Sequence, residues 1–160
     1  MAHTIKDSGD LPRLNLPLQK IILKKDRNHL KIFDPIRKKY IVLTPEEYVR
    51  QQFVSWLRKD LNYPQSIIAN EIGFELNGTK RRCDTVVFDS TGSRIMIVEY
   101  KAPEISITQS TFDQIVRYNL VLQARYLVVT NGMDLYCCHI NYTDNTYVFL
   151  QNVPDYKDII

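Results

Sequence analysis

The sequence predicts an α/β fold of the α+β type, in which helices flank a central mixed sheet. Two amphipathic helical segments alternate with strand-like runs in the order α-β-β-β-α-β. A predicted N-terminal β-hairpin precedes this core, and extra C-terminal strands follow it. The chain has 160 residues, of which 44% are hydrophobic and 24% charged, a composition typical of one soluble domain.

Residues 1–42 are predicted to form a basic arm and a hairpin. Residues 1–19 have no sustained periodicity, whereas residues 31–34 and 38–43 resemble two strands joined by a Pro35 turn. Residues 1–44 carry a net charge of +6 and the remainder −3, so any nucleic-acid contact must be local. The basic arm is either a solvated face or a rim that contacts phosphates.

Residues 43–150 are predicted to form the core. Thr44, Pro45 and Glu47 match a capping box with proline at the first helical position, and an apolar stripe continues the helix to about Leu61. A second helix is predicted over residues 108–123, and residues 151–160 are predicted to form a tail. The predicted strands of the core are residues 67–76, 83–89, 94–101, 126–130, 134–140 and 146–150.

One predicted hairpin places two carboxylates opposite each other. Whether its loop is residues 91–92 or 90–93, Asp84 lies opposite Glu99, where like charges destabilise a sheet. A divalent ion such as Mg²⁺ would resolve this conflict, and Lys101 shares the face of Glu99. Alternatively, Asp84 lies at a solvated strand end, and Glu99 and Lys101 form a surface ion pair.

The sequence also indicates a cellular compartment. Cys83, Cys137 and Cys138 are an odd set that includes an adjacent pair, so a secreted disulfide framework is not expected. Residues 137–139 lack the spacing of a zinc site. There is no signal-peptide pattern and no run of about 18 apolar residues, so we expect a cytoplasmic protein without a membrane contact.

Asp84 followed by Glu99-Tyr100-Lys101 resembles the signature of PD-(D/E)XK nucleases. Over roughly residues 30–135, the chain more narrowly resembles small proteins akin to the N-terminal nuclease domain of type I restriction-enzyme R subunits, with a restriction-endonuclease-like core. The motifs that carry this resemblance are Thr44-Pro-Glu-Glu-Tyr-Val-Arg-Gln51, Tyr63-Pro64, Lys80-Arg-Arg-Cys-Asp84, Val98-Glu-Tyr-Lys-Ala-Pro103 and Gln114-Ile-Val-Arg-Tyr118.

The resemblance implies hydrolysis of DNA phosphodiester bonds with Mg²⁺, or with Mn²⁺ in its place, in restriction or DNA processing. Asp84 and Glu99 would hold the metal, and Lys101 would position the nucleophile or stabilise phosphate charge. Glu47 matches a glutamate of the first helix that completes such sites, although it is also the capping-box residue. Glu71 is a less favoured further carboxylate.

The resemblance also adds Gln114 as a further catalytic candidate and Tyr118 as a substrate-binding candidate. Gln114 and Tyr118 share one helix face and would reach phosphate or Lys101, unless Gln114 completes a second capping box with Thr111 and Tyr118 only packs. Lys80, Arg81 and Arg82 either contact the DNA backbone or merely offset the nearby carboxylates. The predicted substrate-binding residues are therefore Tyr118, Arg82, Arg81 and Lys80.

The residue pattern leaves other functions open. No phosphate-binding Gly-x-x-x-x-Gly-Lys-Ser/Thr loop is present, so translocation of DNA would need a separate motor or specificity partner, and a homodimer is a further possibility. A catalytically silent module that binds nucleic acid or docks a partner is the main alternative to a nuclease. An adaptor without nucleic acid is a third possibility, in which the basic arm faces solvent.

Overall fold

A computed structural model describes residues 4–160, which form two sheets and two α-helices. The smaller sheet precedes the first helix, and the larger sheet contains all later strands. The elements are β1 (Leu23–Asp26), β2 (His29–Asp34), β3 (Lys39–Val42), α1 (Pro45–Lys59), β4 (Ile68–Leu76), β5 (Thr79–Phe88), β6 (Arg94–Tyr100), α2 (Gln109–Leu122), β7 (Tyr126–Thr130), β8 (Leu135–Asn141) and β9 (Thr146–Leu150).

The large sheet has the order β4-β5-β6-β7-β8-β9. All neighbouring strands are antiparallel except β6 and β7, which are parallel and are connected through α2. A parallel pair needs such a crossover because its strands enter from the same edge. This mixed sheet with flanking helices confirms the predicted fold class.

The small sheet corrects the prediction of a simple N-terminal hairpin. It has three antiparallel strands, because β1 pairs with β2 before β2 pairs with β3. The segment Leu23-Lys-Lys-Asp26 that forms β1 is short and mostly charged, so it carries no strand periodicity. The turn after β1 places Arg27 at φ 53°, in the left-handed region. A sequence indicates such a turn clearly only when glycine occupies the position.

The first helix begins where the sequence predicts, but only half of the capping box forms. The Thr44 hydroxyl accepts a hydrogen bond from the Glu47 backbone N–H at 3.0 Å, and Pro45 occupies the first turn. The Glu47 side chain instead accepts hydrogen bonds from Arg37 and Gln51. The beginning of α1 is therefore fixed by Thr44, while the Glu47 carboxylate is free to bind other side chains.

The N-terminal arm packs into the same hydrophobic core as α1. Ile5 and Leu14 are buried there together with Leu30 and Ile32 of the small sheet. The backbone N–H of Ile5 donates to the carbonyl of Leu43, which precedes the cap of α1. The arm therefore helps to fix the position at which α1 starts.

A chain of buried polar side chains joins the small sheet to the large one. The Asp34 carboxylate accepts a hydrogen bond from Asn70 at 3.1 Å, and Asn70 accepts one from the Thr85 hydroxyl at 2.7 Å. Thr85 in turn accepts from the Tyr100 hydroxyl at 2.9 Å. Arg37 and two backbone N–H groups complete the donors around Asp34. The strands that carry the candidate site are thus held in register by side chains as well as by the backbone.

Replacing Asp34 with asparagine is expected to lower the free energy of unfolding at pH 7 by about 2–3 kcal/mol, because a charged acceptor of several buried hydrogen bonds is lost. Burial alone would raise the pKa of Asp34, but hydrogen bonds from Arg37 and Asn70 lower it below its ordinary value. The stabilisation by Asp34 is therefore present above the unfolded-state pKa of about 4 and is lost as pH falls through the folded-state pKa.

Urea denaturation across pH 2–7 measures this effect. Asp7→Asn is the matched control, since the Asp7 pair with Lys25 is exposed and contributes little. If the free energy of unfolding fell by the same amount below about pH 4 in Asp34→Asn as in the wild type, the prediction would be wrong.

The three cysteines lie in the interior of the protein. Cys83, Cys137 and Cys138 are all buried and free. A buried free cysteine behaves as a small apolar side chain, so these residues contribute to packing. None of the helices within residues 4–160 combines the length and the hydrophobicity that a membrane crossing requires.

Candidate active site at the end of the central strands

The register of β5 and β6 brings Asp84 and Glu99 together. Thr85 pairs with Val98, so the next positions along the two antiparallel strands are Asp84 and Glu99. The predicted register is confirmed at this end of the hairpin. Both carboxylates therefore lie where β5 and β6 stop pairing.

The predicted register is wrong at the other end of the hairpin, beside the turn. Phe88 pairs with Arg94, whereas the predicted partner is Ile95, because a β-bulge shifts the pairing by one residue. The turn is organised by Asp89, whose carboxylate accepts hydrogen bonds from two backbone N–H groups of the loop. The irregularity is confined to this end, so it leaves the opposed carboxylates in place.

The Asp84 and Glu99 carboxyl groups are largely buried and electrostatically unfavourable as a charged pair. Burial, followed in size by the neighbouring Asp84 carboxylate, raises the pKa of Glu99 to about 8. Burial also raises the pKa of Asp84, although Arg50 and a 2.9 Å hydrogen bond from the Tyr100 backbone N–H act in the opposite direction. The pair therefore favours either a shared proton or an added cation.

Lys101 lies beside Glu99, as the strand period predicts. Its ammonium is 3.7 Å from Glu99 Oε1. Its backbone N–H donates to the Thr130 carbonyl at 3.0 Å, which holds the end of β6 against β7. The Lys101 side chain thus projects from a fixed point of the sheet.

The second helix contributes an amide and a phenol to the same place. Gln114 Nε2 donates to Glu99 Oε1 at 3.0 Å and to the Tyr118 hydroxyl at 3.2 Å. The capping interaction of α2 forms between Thr108 and Thr111, since the Thr111 hydroxyl accepts from the Thr108 backbone N–H at 3.3 Å. The Gln114 side chain is therefore not used as a cap and is directed to the site.

Arg50 of α1 was not among the predicted site residues, yet it is the buried cation of this region. Its side chain is 3% exposed, and its guanidinium lies 2.6 Å from Glu71 Oε1, 3.4 Å from Glu47 Oε2 and 3.5 Å from Asp84 Oδ1. Burial would lower the pKa of Arg50, but these three carboxylates raise it above its ordinary value. The i, i+3 spacing from Glu47 is visible in the sequence, whereas the contacts with β4 and β5 are not.

The two glutamates at the start of α1 have different surroundings. Glu47 is buried in ion pairs with Arg37 and Arg50, at the side of the helix that faces the small sheet. The sequence prediction placed Glu47 in the site, and the structure connects it to Asp84 through Arg50, whose guanidinium lies near both carboxylates. Glu47 therefore positions Arg50 in this arrangement.

Glu46, which the sequence prediction passed over, lies in the electrostatic field of the carboxylate pair. Burial and the Asp84 carboxylate raise the pKa of Glu46, while Arg50 and Lys101 lower it. Glu46 in turn contributes to the raised pKa of Glu99. Glu46 lies three residues before the buried Val49, so the two side chains share one face of the helix. This spacing is the signal in the sequence that could have identified Glu46.

Glu71 has an unusual backbone conformation in β4. Its φ is 59°, in the left-handed region that non-glycine residues seldom adopt. Its carboxylate bridges Arg50 and Arg82, with Arg82 Nη1 at 3.1 Å. Lys80 and Arg81 continue from Arg82 toward the hairpin tip, and all three of these cations are exposed.

The donor set fits a hard divalent cation. In the part of the chain that the structure describes, no group of three or more His, Cys, Asp or Glu side chains is arranged to hold a metal ion. Mg²⁺, however, is commonly bound through one or two carboxylates, with waters and substrate phosphate completing its octahedron. Asp84 and Glu99 supply two such carboxylates, and burial, which raises the pKa of both, makes an added cation favourable beside them.

A known family matches most of the chain. Residues 45–154 match the family described as the type I restriction enzyme R protein N terminus. The chain belongs to this family. The match to the R-protein N terminus begins at the first residue of α1 and includes Asp84, Glu99, Lys101 and Gln114.

A solved structure shares the fold of the R-protein N terminus. It is a fragment of a putative HsdR subunit of a type I restriction enzyme from Vibrio vulnificus YJ016, with a TM-score of 0.54 and 18% sequence identity. The match covers 71% of this chain and 24% of that chain, so the present chain spans about a quarter of that relative. No curated protein matches the chain.

Proposed function

We propose that this domain is a metal-dependent nuclease that hydrolyses phosphodiester bonds in DNA, in a restriction-related setting. The observation that carries the proposal is the opposed, largely buried pair of Asp84 and Glu99 beside Lys101. A domain that only binds a partner gains nothing from two buried like charges, which cost several kcal/mol unless compensated. Membership of the R-protein N-terminus family supports the same interpretation.

Each side chain of the site has a proposed role. Asp84 and Glu99 would hold Mg²⁺, or Mn²⁺ in its place, which lowers the pKa of a bound water and neutralises phosphate charge. Lys101 would hold the attacking water or a phosphate oxygen, since its ammonium lies beside Glu99. Gln114 and Tyr118 would fix the orientation of Glu99. Glu46 is a further candidate for contact with water in the site.

Hydrolysis of plasmid and single-stranded DNA in Mg²⁺ or Mn²⁺ tests the proposal. We expect Asp84→Asn and Lys101→Met each to lower the cleavage rate by about 100-fold or more, because each removes an interaction with charge that develops at the phosphate. Glu104→Gln, an exposed change three residues after Lys101, is the matched control and should cut like the wild type. Circular dichroism would verify that the variants are folded.

The outcomes separate the two main functions. Undiminished cleavage by both site variants would refute the site assignment. If the wild-type protein cleaves nothing but binds DNA with a steep salt dependence, the domain is a silent binding module. A separate motor or specificity partner is part of the proposal, since these 160 residues contain no Gly-x-x-x-x-Gly-Lys-Ser/Thr loop.

A further inference from the structure

The β4–β5 hairpin extends past the rest of the large sheet. Strand β6 pairs only with residues 85–88 of β5, whereas residues 79–83 pair only with residues 72–76 of β4. We call residues 72–76 and 79–83 the ribbon. Its five residue pairs span about 13 Å at roughly 3.3 Å per residue.

The ribbon is anchored on one side and carries exposed cations. Phe74 packs against Tyr118 of α2, with ring centroids 5.0 Å apart. Lys80, Arg81 and Arg82 are exposed on the other strand, and the Arg82 side chain is 72% exposed even though it pairs with a carboxylate at the base. The ribbon thus presents positive charge on a supported scaffold.

Two of these cations are unpaired. Throughout residues 4–160, no carboxylate forms an ion pair with Lys80 or Arg81. This holds even for Glu75, which is the backbone partner of Lys80 across the ribbon. Lys80 and Arg81 are therefore available to an anion from outside the domain.

The base of the ribbon is tied to the carboxylate pair. Arg82 binds one oxygen of Glu71 at 3.1 Å, and the other oxygen binds Arg50 at 2.6 Å. Arg50 also lies 3.5 Å from Asp84. Lys80 lies four positions before Asp84 on the same strand, a distance of about 13 Å, which is the rise of about four base pairs.

We propose that the ribbon enters the major groove of a DNA duplex and sets the position of the duplex relative to the carboxylate pair. This inference rests on the proposed function. The major groove, about 12 Å wide, admits a two-stranded β-ribbon. Lys80 and Arg81, which point to opposite faces of the ribbon, contact the duplex about four and about three base pairs from the phosphate that is cut. Contacts of this kind fix register and orientation.

Fluorescence anisotropy with a short duplex and with one of its single strands tests the ribbon. The measurements use Ca²⁺ and an Asp84→Asn background, so that cleavage does not interfere. Lys80→Gln/Arg81→Gln should weaken duplex binding by about 10-fold or more and reduce the slope of log K against log salt by about two, while single-strand binding changes less than about threefold.

Lys59→Gln/Lys157→Gln is the matched control, because it removes two exposed cations that include one at the far end of α1. It should leave duplex binding within about twofold of the background protein. Unchanged duplex binding in the ribbon variant, or an equal loss for single strands, overturns the ribbon assignment. If the ribbon variant loses duplex binding while wild type cuts no DNA, the nuclease proposal fails and the ribbon assignment stands.

Discussion

Arg50→Met is expected to lower the free energy of unfolding by about 3–5 kcal/mol. Methionine keeps most of the side-chain volume but leaves Glu47, Glu71 and Asp84 without their buried cation, and removal of one partner from a buried ionic network has a cost of this size. Urea denaturation at pH 7.5 in EDTA measures the effect.

Arg82→Met is the matched control for Arg50. It removes another arginine from Glu71, but the Arg82 side chain is 72% exposed, so we expect a change below about 1 kcal/mol. Arg50→Lys should recover part of the loss and provides a folded variant if the methionine protein is too unstable. Equal urea midpoints for wild type and Arg50→Met would show that the buried cation does not stabilise the site.

Glu99→Gln is expected to stabilise the metal-free domain at pH 8 by about 1–3 kcal/mol while it abolishes cleavage. The folded-state pKa of Glu99 is raised to about 8, above an unfolded value of about 4.5, so folding favours the protonated carboxyl. Its contribution to stability is fully present below about pH 4.5 and is lost as pH rises through about 8. Glutamine has no such titration.

Unfolding curves in EDTA at pH 5–8.5 measure the difference between wild type and Glu99→Gln. The two proteins should have similar stability at pH 5 and separate as pH rises. Glu104→Gln, at an exposed position, should follow the wild-type curve throughout. A constant difference across this pH range would mean that Glu99 does not titrate as its surroundings indicate.

Local patterns predicted most of the fold. The cap at Thr44 and the apolar stripe of α1 located the first helix, and the span of β7 follows from an unbroken apolar run. The small sheet was only partly predicted, because charged residues dominate β1. Tertiary pairing, rather than intrinsic propensity, decides such a strand.

The candidate site divides in the same way. The approach of Asp84 and Glu99 was predictable because hairpin register is a local property of turn length and strand period. The position of Arg50 was not, since its partners come from α1, β4 and β5, and no spacing in the sequence encodes their meeting. The choice between Glu46 and Glu47 depends on one residue of helix phase, which only packing against the sheet resolves.

The start of α1 gives a criterion for comparing related sequences. Each residue of an α-helix turns the chain by about 100°, and the fully buried apolar residues Val49, Phe53 and Leu57 fix the rotation of the helix. One residue inserted between Glu46 and Val49 would keep every charged side chain in the sequence but turn Glu46 by about 100° relative to the buried face, and so away from Asp84. The number of residues between this glutamate and Val49 should thus distinguish relatives in which the proposed site is assembled from those in which the same residues are present but dispersed.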